Sequence, residues 1–198
     1  KRDGGADGTV LELSQLGFPK LAASRRTVIA ALRKLARNQK AMAVALRLGP
    51  TQHFEVVRNR ALGSSPTLPA LDRYTGVLYD ALDAHTLPED ARNFADRHLV
   101  IHSALFGLIR AGDSIPAYRL SHDSRLPELQ LKRVWGERVA AVLAASEELI
   151  LDLRSEAYVQ LGPSVGAPRS YFLRVVSEGS DGARRALNHF NKKGKGEL

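Results

Sequence analysis

A mixed α/β fold in one domain, with a central mixed sheet surrounded by helices, is predicted by three features of the sequence. Apolar runs of strand length, His98 to Leu105, Glu148 to Leu153 and Ser170 to Glu178, alternate with segments of helical period. The 198 residues are 44% hydrophobic and 25% charged, the make-up of an ordinary soluble globular domain. A chain of that length buries roughly 70–75% of its unfolded surface in one core and needs no staples.

Residues 1–9 carry no periodicity and read as a flexible polar loop. Phe18-Pro19 marks a turn before a first helix with Ser24 as its N-cap. On that helix Val28, Leu32 and Leu35 share a face, and Arg26, Arg33 and Arg37 line another. A short helix over 39–46 runs into Arg47-Leu48-Gly49-Pro50, and a third helix follows from Thr51 to about Leu62. Gly49 suits a tight left-handed backbone and Pro50 a helix start. The result is helix, four-residue hairpin, helix, a shape that directs backbone N–H groups toward an anion. Residues 1–62 thus form a basic helical part, 63–70 a linker by composition, and 71–198 the α/β core.

Leu71 to Leu120 reads as the buried scaffold of that core. Thr86 to Asp90 starts a helix that ends near Arg97, His98 to Leu105 is a buried strand, and Leu105 to Arg110 is a turn or short helical piece. Ile115 to Leu120 is extended because Ile115 precedes a proline. A long helix surrounds Trp135 over 129–145, Glu148 to Leu153 is a central strand, and Ser155 caps a short helix. Ser170 to Glu178 is a strand, and Asp181-Gly182 turns it into a partner over about 185–190.

The charge narrows the function. The sequence has 29 basic and 21 acidic residues, a formal net charge of +8, and the excess is clustered. Eight basic residues and no acid lie between Lys20 and Arg47, and Arg184 to Lys195 holds five more with no acid. Such segregation points to a polyanion rather than to general solubility. Arg26, Arg33, Arg37, Arg47, Gly49, Lys192, Lys193 and Lys195 are the expected DNA contacts. The absence of cysteine excludes disulfides, thiol nucleophiles and thiolate metal sites. No P-loop, dinucleotide glycine pattern or G-x-S-x-G elbow is present, and no cofactor, metal or membrane partner is expected.

Asp80, Asp83 and His85, and the pair His98 and His102, have spacings that fit either a metal or ordinary turn and strand roles. Ser155 is a helix cap or, less in keeping with its surroundings, a nucleophile. Tyr74, Tyr79, Asp83, Tyr118, Arg119, Ser155, Tyr158, His189, Asn191 and Lys192 form the candidate cleft. Tyrosine beside Arg and Lys suits stacking on an unpaired base, and equally suits a core with paired hydroxyls.

Five blocks carry a resemblance: Tyr74 to Asp83, Ser103 to Gly107, Pro116 to Leu120, Asp152 to Ser155 with Tyr158, and His189 to Lys192 followed by Lys195-Gly196. In this order they resemble the YaaA-like peroxide-stress family. Against that family's pattern the chain reads as trimmed at both ends, with Lys1 as the remnant of an opening segment that ends in lysine. The resemblance implies a bacterial, cytoplasmic protein that protects DNA, or helps repair it, under hydroperoxide stress. It also implies a basic cleft and a helix-hairpin-helix, here over 41–62 with Arg47 and Gly49 at the turn. The alternative is an enzyme acting on a nucleobase or nucleotide in the Tyr/Arg/Lys pocket.

Overall fold

The computed structural model of the chain describes residues 1–164, 167–178, 184–186 and 188–198. A 3-10 turn at Pro19–Leu21 leads into α1 (Ala22–Ala36), so Ser24 lies inside the helix and does not cap it. The predicted faces hold: Val28, Leu32 and Leu35 are buried, while Arg26, Arg33 and Arg37 are exposed. Arg25 departs from the basic cluster. Its buried guanidinium donates to the carbonyls of Phe106 (2.9 Å), Gly17 (2.6 Å) and Leu108 (2.6 Å), tying α1 to the middle of the chain.

α2 (Gln39–Ala45) is capped by Asn38, whose Oδ1 accepts from the Ala41 N–H at 3.0 Å. After a four-residue turn come a 3-10 turn, Pro50–Gln52, and α3 (Phe54–Arg60). The turn differs from expectation in one respect. Arg47 takes the left-handed conformation (φ 52°), whereas Gly49 is extended (φ −73°, ψ 167°) with its N–H held by Gln52 Oε1 at 3.0 Å.

The supposed linker contains β1 (Thr67–Pro69), antiparallel to β4 (Ser114–Pro116). The opening residues are docked rather than loose. Arg73 donates to the carbonyls of Arg2 (2.6 Å), Gly4 (2.9 Å), Pro66 (3.1 Å) and Ile115 (3.1 Å). Four carbonyls satisfy a guanidinium that burial would otherwise leave costly. α4 (Ala70–Arg73), α5 (Val77–Leu82) and α6 (Glu89–His98) follow.

β2 (Val100–Ser103) and β3 (Gly107–Arg110) make an antiparallel hairpin, so the expected turn holds for Leu105 and Phe106, while the rest of that segment is strand rather than helical piece. Every residue from Ile101 to Ile109 is buried. Gly107 sits at φ 68°, and a Cβ there would lie 2.7 Å from the Trp135 ring, so only glycine fits. Trp135 belongs to α7 (Leu131–Ala144) and donates its indole N–H to the Ala104 carbonyl at 2.9 Å. α1, the hairpin and α7 thereby share one core.

The mixed α/β class is observed, with the strands in small sheets flanked by helices. Among the described residues they pair as four two-stranded ladders and not as one central sheet. β5 (Ile150–Asp152) runs parallel to β6 (Ser170–Phe172), and α8 (Glu156–Val159) lies between them in sequence. β7 (Val176–Glu178) is antiparallel to β8 (Arg184–Ala186). The predicted turn at Asp181-Gly182 lies outside the described residues. The partner strand stops early, because α9 (Asn188–Glu197) begins there. α9 packs closely on α5: a Cβ on Gly196 would lie 2.2 Å from the Leu78 carbonyl oxygen. Among the described residues no helix is long and apolar enough to cross a membrane.

Candidate functional site

The tight turn between β2 and β3 sets the chemistry of the site. Ser103 Oγ accepts from the N–H groups of Leu105 (3.1 Å) and Phe106 (2.9 Å), which occupies both its lone pairs. Its proton must therefore go to Tyr118 Oη at 2.7 Å, and between Tyr118 and Tyr74, whose Oη atoms lie 2.6 Å apart, one hydroxyl donates to the other. One phenol proton of that pair is left over, with no acceptor among the described residues. Tyr74 lines a cleft of about 240 Å³ together with Tyr79, Asp80, Asp83, Arg2 and His85. Tyr79 stacks on Tyr74 with ring centroids 5.3 Å apart. Burial raises the pKa of Tyr74, Tyr79 and Tyr118, and pushes Tyr158 up to about 12, so all four phenols stay protonated at neutral pH.

Lys1 packs on this chain of hydroxyls. Its Nζ lies 3.9 Å from the centre of the Tyr118 ring and 5.4 Å from that of Tyr74. Burial, and next the positive charge of Arg119, lower its pKa to about 7, while Glu55 opposes the shift. Arg58 adds to the lowering, but its own guanidinium is committed to Glu55 (3.1 Å) and Asp3 (2.8 Å). Arg119 is fixed through its backbone: Asn59 accepts its N–H at 2.8 Å and donates to its carbonyl at 2.7 Å. Among the described residues no carboxylate pairs with the Arg119 guanidinium.

A second polar group stands beside Tyr158. Arg154 donates to both carboxylate oxygens of Asp152, from Nε at 2.8 Å and from Nη2 at 2.6 Å. Its Nη1 donates to the Gly162 carbonyl at 2.7 Å and to His102 Nδ1 at 3.0 Å. Since Nδ1 accepts, the imidazole proton sits on Nε2, which is buried without a partner among the described residues. Burial, then the Arg154 charge, lower the His102 pKa to about 3. Burial would raise the Asp152 carboxyl, but the Arg154 hydrogen bond and charge outweigh it and hold the group below the usual carboxylate range. The Tyr158 ring meets His102 and His122 edge-on, at 5.8 and 5.3 Å.

Of the ten candidate cleft residues, the structure brings Tyr74, Tyr79, Asp83 and Tyr118 together, with Arg119 and Tyr158 in electrostatic reach of them. Ser155 is the exposed N-cap of α8 and makes no capping bond with its side chain. Asn191 Oδ1 accepts from the Val175 N–H at 3.2 Å, a structural role. Lys192 is exposed, and the side chain of His189 lies outside the described residues. The spaced histidines part company, His98 exposed and stacked on Phe94, His102 buried in β2.

The expected DNA contacts divide in the same way. Arg26, Arg33, Arg37, Arg47, Lys192 and Lys193 are exposed. Arg47 pairs with Asp123 at 3.3 Å and Lys193 with Glu197 at 3.3 Å. Lys195 is no surface contact: it is buried, donates to the Arg154 carbonyl at 3.2 Å, and lies 5.0 Å from the Phe172 ring centre. Sequence reasoning missed Lys1, Ser103 and Arg154 as site residues, and weighed His102 only as half of a spaced histidine pair. Ser103 and Arg154 do sit inside the blocks that carry the family resemblance, which was the available signal.

Residues 9–198 match the family described as "Peroxide stress protein YaaA". A UPF0246 protein of Corynebacterium glutamicum is 44% identical over 98% of this chain and 78% of its own length. One from Corynebacterium efficiens is 45% identical over 100% of this chain and 79% of its own. A UPF0246 protein of Streptomyces coelicolor is 38% identical over 96% of this chain and 75% of its own. The chain belongs to the YaaA peroxide-stress family.

Proposed function

We propose that this member of the family works in the bacterial cytoplasm by binding the sugar–phosphate backbone of DNA during hydroperoxide stress. The observation that carries the reading is the outer face of the N-terminal helices. Lys20, Arg26, Arg33, Arg37 and Lys40 are all exposed, and among the described residues none has a carboxylate partner. Unpaired surface cations held on a rigid helix are what phosphate contacts require.

The α2–turn–α3 unit serves as the helix-hairpin-helix. Its contribution is the Arg47 side chain, because the Gly49 N–H is already held by Gln52. Arg47 would exchange Asp123 for a phosphate at small cost, since an exposed ion pair is worth about 0–1 kcal/mol. The test is affinity for a duplex as a function of salt. With about six phosphates neutralised, affinity falls roughly 10³-fold between 50 and 200 mM salt. A nearly flat response overturns the reading.

The second reading, an enzyme acting on a nucleobase or nucleotide, is supported by the Tyr74 hydroxyl and the Asp80 and Asp83 carboxylates, which line one cleft. Calorimetric titration with nucleosides tests it. A measurable heat that Tyr74→Phe removes supports this reading, and no heat removes it.

A further inference from the structure

We propose that the ε-amine of Lys1 is a nucleophile that forms an imine with a small anionic carbonyl compound, such as a 2-oxo acid, whose anionic group is held by Arg119. Lys1 is only partly exposed, and its Nζ rests on the Tyr118 ring at 3.9 Å. Desolvation beside other cations is the standard way to make a lysine nucleophilic near neutral pH, and both conditions are met here.

The other parts of the reaction are also present. The nearest charged groups include one pair of guanidiniums with different duties. Arg58 is committed to Glu55 and Asp3, whereas Arg119 has no carboxylate partner among the described residues. A cation left without an anion next to a desolvated amine fits a substrate that brings its own negative charge. The hydroxyl chain of Ser103, Tyr118 and Tyr74 supplies the acid, since one of its phenol protons has no acceptor among the described residues.

The steps balance. The lysine lone pair forms a C–N bond to the carbonyl carbon as the C=O π pair moves to oxygen. That oxygen takes a proton from the tyrosine chain, and the nitrogen gives one back, leaving a neutral carbinolamine. Loss of water then forms the C=N bond, so amine and carbonyl become imine and water with no oxidant or reductant.

The experiment is reductive trapping on the folded chain at pH 7. The protein is treated with glyoxylate, or with the neutral glycolaldehyde, in the presence of cyanoborohydride, and adducts are mapped by peptide mass spectrometry. Fragment ions place each adduct on its lysine side chain. The expected result is glyoxylate labelling of the Lys1 ε-amine about tenfold or more above that of Lys20 or Lys132. In urea the ratio falls to near one, a control that requires no variant. Arg119→Gln is expected to abolish the preference for glyoxylate over glycolaldehyde. Labelling spread evenly over the lysines of the folded protein overturns the proposal. A glyoxylate preference that survives Arg119→Gln overturns the assignment of Arg119.

Discussion

Single side chains in this protein hold positions that their types alone do not explain, and Ser103 is the clearest. A serine normally competes weakly for backbone groups, yet here its oxygen satisfies two buried N–H donors and passes its proton to Tyr118. Ser103→Ala leaves those donors unsatisfied and breaks the hydroxyl chain at its source. The expected loss is about 1–3 kcal/mol for the unsatisfied groups, read from urea unfolding. His102 makes a second residue-scale prediction. Its pKa is about 3 in the fold and roughly 6.5 in an unfolded chain, so between those values the unfolded state binds the extra proton. Stability from neutral His102 is therefore complete above about pH 6.5 and is lost progressively toward pH 3, at up to about 1.4 kcal/mol per pH unit. Denaturation midpoints from pH 7.5 to 4.5 should fall in the wild type and fall less in His102→Gln. Equal slopes would mean that the imidazole is not held neutral.

At the scale of elements, the contact between α5 and α9 braces the helix that carries Tyr79 into the cleft. Gly196 lets the helices approach, and two effects compete when it is replaced. Alanine within a helix gains up to about 1 kcal/mol over glycine. A Cβ 2.2 Å from the Leu78 carbonyl oxygen and 2.9 Å from Ala81 Cβ forces the helices apart, at about 1–3 kcal/mol. The backbone oxygen cannot rotate away, so the clash wins, and Gly196→Ala is expected to destabilise the protein and speed amide exchange in α5. A stabilised variant would show that the two helices do not pack this closely.

The same element shows where the sequence was readable and where it was not. α1, α7 and the buried run after Val100 announce themselves by apolar period, and the structure agrees with all three. The strand at Gly107–Arg110, which opens on a glycine, read as part of a turn or short helical piece. In the structure that glycine makes room for Trp135, a reason lying 28 positions away. Likewise Arg25 and Arg26 look alike in the sequence, as do Lys192 and Lys195. What separates them is a set of carbonyls or a neighbouring wall brought from elsewhere in the chain. Four tyrosines of the site were identifiable as a group, but the direction of the Ser103–Tyr118 hydrogen bond depended on counting the lone pairs of Ser103.

For the molecule as a whole, the useful question is which positive charges belong to the surface and which belong to the fold. The net charge of +8 does not distinguish them. Arg25 and Arg73 are buried and spend their donors on backbone carbonyls, so they supply cohesion and no field at a docked polyanion. Arg26, Arg33 and Arg37 are exposed on α1, with Arg26 one position from Arg25. This partition predicts different outcomes for substitutions that remove equal charge. Arg26→Gln, Arg33→Gln and Arg37→Gln together should leave the unfolding midpoint nearly unchanged. They should lower the slope of log affinity against log salt by roughly 2.7, since each lost phosphate contact is worth about 0.9. Arg25→Gln should do the reverse, lowering stability by stranding the Phe106 and Leu108 carbonyls while leaving the salt slope of the folded fraction intact. Lys192→Ala with Lys193→Ala tests whether α9 joins the proposed DNA surface, because a lowered slope adds it and an unchanged one leaves the proposed contacts to α1 and the hairpin alone. If the triple variant keeps the full slope, the exposed face of α1 is not where the polyanion lies, however basic it is.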